Sequence, residues 1–77
     1  MTLEQFNNLK EGDYVYYTNV GQHIIREAVE WKSEASKSIH TQREDLPGIP
    51  YQVAYLTPEE AKAGEKLYEP IKEEKEL

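Results

Sequence analysis

Apolar and polar positions along the chain fall into several local patterns, and each predicts a different element. Leu3, Phe6 and Leu9 recur at three-residue spacing and mark one face of a short helix. Thr2-Leu3-Glu4-Gln5 supplies its start, with Thr2 at the N-cap and Gln5 positioned to reach back in a capping box. Gly12 stops it. A helix this short is unstable alone, so its apolar face must dock on the rest of the chain. Asp13-Tyr14-Val15-Tyr16-Tyr17-Thr18 is dense in aromatic and β-branched residues and predicts a strand. Asn19-Val20-Gly21 supplies the turn after it.

The stretch from Gln22 to Glu34 fits two periods. As a helix, Ile24, Ala28, Trp31 and Ala35 share a face; as a strand, Ile25, Val29 and Trp31 do. The helical count is slightly better. However, Gln22 and His23 are poor caps, and a strand at 13–18 needs a hairpin partner. We therefore read a strand here, with a helix at 22–34 as the alternative. Glu34-Ala35-Ser36-Lys37 is a polar turn, and Ser38 to Gln42 returns as a strand with Ile39 and Thr41 on one face and His40 on the other. Arg43-Glu44-Asp45 reads as solvated. In the loop Leu46-Pro47-Gly48-Ile49-Pro50, Pro47-Gly48 suits a type II turn and Pro50 holds Ile49 extended. Tyr51 to Leu56 alternates like a further strand.

Thr57-Pro58-Glu59-Glu60 is the strongest local signal: an N-cap Thr, Pro at the first helical position, and two glutamates at the positive end of the helix dipole. This helix is expected to run to about Tyr68, with Ala61, Leu67 and Tyr68 as its apolar contacts and Pro70 ending it. The fold expected is mainly β with short helices (α+β): a small barrel or curved antiparallel sheet plus a C-terminal helix. Residues 1–68 form a single globular domain, and 69–77 form a flexible acidic tail with little to bury.

Two segments carry a resemblance. Leu9-Lys10-Glu11-Gly12-Asp13-Tyr14-Val15-Tyr16-Tyr17 looks like the lead-in, Gly-Asp and first strand of small SH3-like barrels. Tyr55-Leu56-Thr57-Pro58-Glu59-Glu60-Ala61 looks like a last strand passing into a short helix. The chain resembles the SH3-like accessory proteins of bacteriophages and mobile elements over residues 9–68. That resemblance implies an SH3-like barrel and no particular activity, so it brings no catalytic residues with it.

Composition narrows the function. Nine basic against fifteen acidic residues leave a net charge of −6 with no Lys/Arg cluster, which disfavours direct binding to nucleic acid or to an anionic membrane surface. The chain lacks cysteine, which removes disulfides and thiolate metal sites. Met1 to Phe6 has neither the basic nor the apolar region of a signal peptide, and no stretch is apolar enough to span a membrane. The expected location is the cytoplasm.

Each candidate for chemistry has a simpler explanation. His23 and His40 lack a third ligand at defined spacing, although a hairpin would let them approach each other. Glu59-Glu60 is explained by capping, and Glu44-Asp45 and Glu73-Glu74 lie in polar segments. Ser33, Ser36 and Ser38 sit in a turn without a nucleophile elbow. The glycines at 12, 21, 48 and 64 are too scattered to cradle phosphate. Pro47-Gly48-Ile49-Pro50 matches PxxP, yet Gly48 spoils a preformed polyproline helix. No catalytic residue, metal or cofactor is expected.

What remains is an excess of aromatics, with six tyrosines and one tryptophan in 77 residues. If Val15 and Tyr17 point inward, Tyr14 and Tyr16 lie outside. Core filling is the simpler reading for Trp31 and Tyr17; Tyr14 and Tyr16 fit core filling and recognition alike, because tyrosine gives large contact area at low entropic cost. Tyr14, Tyr16, Trp31, Tyr51 and Tyr55 are the candidate binding residues. The expectation is a small non-catalytic protein–protein interaction module acting on a host protein. An acidic nucleic-acid mimic and a small homo-oligomeric structural subunit are the alternatives.

Overall fold

The elements run α1 (Leu3–Asn8), β1 (Tyr14–Asn19), β2 (Ile24–Ser33), β3 (Ser38–Thr41), β4 (Ile49–Pro50), a single 3-10 turn at Tyr51–Val53, α2 (Pro58–Gly64) and β5 (Leu67–Tyr68). The computed structural model describes residues 1–19, 21, 23–43, 47–64 and 67–68. The expected tail at 69–77, the Glu44-Asp45 pair and Val20 of the first turn lie outside the described residues.

The fold is mainly β. Strands β1 to β4 form an antiparallel meander, β5 joins β1 in parallel, and the sheet order is β4-β3-β2-β1-β5. Residues 24–33 are a strand, and the helical alternative fails because this segment supplies the hairpin partner that β1 requires. Tyr55 adds a reciprocal bridge to the other edge of β1: the Tyr16 and Tyr55 amides each donate to the other's carbonyl at 2.8 Å. The chain thus leaves the edge of β3 at Ile49–Pro50, turns once, and reaches the far edge of β1. The sheet curls into a nearly closed barrel.

Alternation along β1 sends Val15 and Tyr17 inward, where they join Val29, Ile39, Ile49 and Ala54 in the core. Phe6 and Leu9 of α1 are buried in the same cluster. The expected capping box forms at α1: the Thr2 hydroxyl accepts from the Gln5 amide, and the Gln5 side chain accepts from the Thr2 amide. Gly12 then turns with φ +96, a left-handed conformation that glycine adopts without steric cost, and its amide donates to the Val29 carbonyl at 2.9 Å. This ties the end of the lead-in to β2.

β2 holds the feature that most affects the site. It pairs with β1 over residues 24–28 and with β3 over 29–33, and the register slips between Val29 and Trp31. Val29 faces Thr41 and Trp31 faces His40, so Glu30 is the extra residue of a β-bulge. A bulge bends its strand, raises the local twist and shifts the in–out alternation by one position. Val29, before the bulge, is buried; after it, Lys32 rather than Trp31 lies on the α1 side, opposite Ile39. The Lys32 ammonium sits 4.9 Å from the centre of the Phe6 ring and donates to the Phe6 and Asn7 carbonyls at 2.7 and 3.2 Å. Those carbonyls belong to the last turn of α1, where a cation is favourable. Strict alternation, which puts Ile25, Val29 and Trp31 on one face, fails at Glu30.

Three further expectations are corrected. Tyr51 to Leu56 is not a continuous strand; Tyr51–Val53 is a 3-10 turn and only Tyr55 bridges. The crossing between two sheet edges needs a turn, and Tyr51 and Val53 pack on the core from it. Ile49–Pro50 is a short strand rather than loop, and Gly48 lacks the positive φ that a type II turn requires. Glycine is needed at 48 for space, since a Cβ there would lie 2.6 Å from the Ser38 Cβ and 2.8 Å from the His40 Nε2. Finally, α2 starts as expected, with the Thr57 hydroxyl accepting from the Glu60 amide at 3.1 Å, but it ends at Gly64. Tertiary contacts override the helical pattern beyond it. The Tyr55 ring occupies the space a Gly64 side chain would fill, and Tyr68 turns into the core as part of β5.

Tyr68 stacks edge-on against Tyr17 with ring centres 5.4 Å apart, and its hydroxyl donates to the Pro47 carbonyl at 2.9 Å. Burial, together with the charge that Tyr17 would carry, raises its pKa above the ordinary value of 10.0. The folded state then keeps a proton that the unfolded chain releases, so this contribution is complete below about pH 10 and is lost as pH rises through the folded pKa. Denaturant melts of wild type and Tyr68→Phe should show this. The wild type is expected to lose more stability than the variant between neutral pH and strongly alkaline pH, and equal losses would show that Tyr68 does not titrate against folding.

Candidate functional site

Outward-facing side chains of β1, β2 and β3 make two ordered aromatic contacts. Tyr14 opens β1 and is paired with Ala28; Tyr16 is paired with Arg26. Arg26 lies diagonal to Tyr14, and its guanidinium carbon sits 4.5 Å from the centre of that ring. This is a cation–π contact made within the chain. Further along β2, the bulge turns Trp31 to the same outer face, opposite His40. The two rings stack with centres 3.8 Å apart and planes 2° from parallel.

The backing of this stack explains its geometry. His40 is flanked by Ile39 and Thr41, both buried, so its own side chain must face outward. The Gly48 backbone packs close against the imidazole, on the β4 side of β3, where a Cβ would lie 2.8 Å from Nε2. Trp31 has one face against this fixed ring and remains 53% exposed, while Tyr14 is 52% exposed. These are large values for aromatic residues in so small a domain, and they contradict core filling for Trp31. Tyr17, in contrast, is buried as that reading expects.

The other candidate binding residues are placed differently. Tyr16 and Tyr55 are half-buried and bridge each other through their backbones on the edge of β1, with the Tyr55 ring against Gly64 of α2. α2 covers this part of the outer surface; Ala61 is fully buried yet lies outside the inner cluster. Tyr51 is half-buried against Phe6, with ring centres 5.7 Å apart, and its carbonyl accepts from the Met1 amine at 3.1 Å. The structure therefore leaves Tyr14 and Trp31 exposed on the outer side of the sheet, half-buries Tyr16 and Tyr55, the latter against α2, and packs Tyr51 toward the core. Sequence reasoning missed Arg26 and His40, the two partners that order these rings. Cross-strand pairing was the signal for both, and it depends on a register that is not visible before the bulge is known.

Comparison with protein-family models, curated proteins and solved structures finds no match. The surface must be read from its own chemistry. Among the described residues, no three His, Asp or Glu side chains gather as metal ligands, and no helix is long and apolar enough to cross a membrane. His23 and His40 are not brought together. His23 sits before β2, where its amide donates to the Asn19 side chain, whereas His40 faces the far end of that strand. A shallow open depression of about 280 Å³ lies between α1 and Leu56, lined by Gln5, Asn8, Leu9, Asp13 and Leu56. Its Asp13 carboxylate already accepts from the Lys10 amide at 2.8 Å, and its Gln5 is spent in the capping box.

Trp31 is the only tryptophan, so its emission reports this surface alone. The folded protein is expected to emit at the wavelength of a water-exposed indole and to be quenched readily by acrylamide. Blue-shifted, acrylamide-resistant emission would place Trp31 in the core.

Proposed function

We propose that this chain is a small, non-catalytic protein–protein interaction module of the cytoplasm. Its barrel is of the SH3-like type: a meander of four strands, then a 3-10 turn, then a return to the first strand. That order supports the kinship with bacteriophage and mobile-element accessory proteins that the Gly12-Asp13 opening suggests.

The binding reading rests on one observation above all. Trp31, the largest apolar side chain, is half exposed and held in place by the His40 ring. Exposing an indole forgoes about 1.5–3 kcal/mol or more of burial, in a domain whose core supplies only about 3–5 kcal/mol net. A rigid, exposed aromatic also loses little entropy when a partner covers it, which is why tryptophan and tyrosine dominate energetic centres of interfaces. Tyr14, steadied by Arg26, is a second exposed and ordered aromatic on the outer side of the sheet.

The direct test is affinity capture with the wild-type chain and with a Trp31→Ala/Tyr14→Ala double variant from the same host lysate. Surface substitutions away from caps and cores change stability by about 0.5 kcal/mol or less, so the variant should melt within a few degrees of the wild type. It should lose the captured partner. A folded variant that recovers the same proteins in the same amounts would remove this surface from the function.

A further inference from the structure

Trp31 keeps an exposed face beside its stack on His40, and the exposed Glu30 precedes it in the bulge. We infer that this face, with Glu30 at its edge, receives an arginine side chain from a basic segment of the partner. The inference rests on the interaction-module reading and assigns the chemistry of its ligand.

Four observations converge on a cation. First, Trp31 stacks on His40, is 53% exposed and has no second ring partner among the described residues, and indole is the strongest cation–π acceptor among the aromatic side chains. Second, the chain uses this chemistry twice with its own cations, Arg26 on Tyr14 and Lys32 on Phe6, and leaves the indole without one among the described residues. Third, the bulge removes the nearest cation in sequence. Lys32 is turned to the α1 side, where its ammonium is engaged by the Phe6 and Asn7 carbonyls. Fourth, the bulge leaves Glu30 exposed next to Trp31, both across from His40. Glu34 is paired with Lys37 at 3.7 Å and Glu27 with Arg43 at 3.9 Å, whereas Glu30 has no ion pair among the described residues.

Charge on the larger scale agrees. A net charge of −6 draws basic segments in and repels phosphates and acidic peptides. Arginine fits better than lysine, because a planar guanidinium stacks on indole while its N–H groups donate in pairs to a carboxylate.

The test uses a short peptide of Arg-Gly repeats and the same peptide with citrulline, a neutral isostere, in place of arginine. Binding is followed by Trp31 emission and by the backbone amide shifts of residues 29–33 and His40. The arginine peptide should bind saturably, with the citrulline peptide about ten-fold weaker. Glu30→Gln should weaken the arginine peptide about three- to ten-fold, and Trp31→Ala should abolish the shift at His40. Equal binding of the citrulline peptide, no binding of either, or arginine binding that neither substitution alters would overturn the inference; the last result means diffuse attraction to an acidic protein. The two readings fail separately. If lysate capture depends on Trp31 but the arginine peptide does not bind there, the surface stands and the arginine falls. If capture is also indifferent to Trp31, both fall.

Discussion

The extra residue in β2 is the constraint on which the rest of the structure depends. A strand of ten residues must serve two neighbours, β1 along its first half and β3 along its second. A flat strand would do so in a flat sheet with two open edges. The bulge at Glu30 sits at the junction of the halves, bends the strand there and lets the sheet curl. Curling brings the chain leaving β3 within reach of β1, and the Tyr16–Tyr55 bridge then closes most of the barrel. An edge that would otherwise offer unpaired amides to other chains is satisfied internally.

The same shift of one position couples the core to the surface. Before the bulge, odd-numbered residues of β2 face the core; after it, even-numbered ones do. Lys32 consequently reaches the last turn of α1, and a helix too short to stand alone is held by its buried Phe6, its capping box and a cation at its C-terminal carbonyls. Trp31 consequently stands outside on His40. Stabilisation of the lead-in helix and exposure of the indole are two results of one backbone irregularity, so the exposed indole is built into the folding of the barrel.

Much of this was legible in the sequence where local physics decides. The Thr2 and Thr57 caps, the β1 strand with Tyr17 inside and Tyr14 outside, the need for a partner strand within 22–34, and the polar turn at 34–37 all follow from residue type and period. The misreadings share one cause: contacts distant in sequence overrode a local pattern. Nothing marks Glu30 as an inserted residue, since it is neither glycine nor flanked by one, so alternation carried Trp31 to the wrong face. Tyr68 reads as a helical contact until the Pro47 carbonyl and the Tyr17 ring are in place to receive it. Tyr51 to Leu56 alternates as a strand does, yet it has to cross from one sheet edge to another. Of the five aromatic candidates, Tyr14 and Trp31 are the exposed ones, and their ordering partners, Arg26 and His40, are what only the register could supply.

The central claim is that the β2 alternation reverses at Glu30, and proton–proton Overhauser contacts read it directly. The account predicts cross-peaks from the Trp31 indole to the His40 ring and from the Lys32 side chain to the Phe6 ring, with none from the indole to the methyls of Val15 or Ile39. Indole contacts to those core methyls, with Lys32 free in solvent, would contradict it.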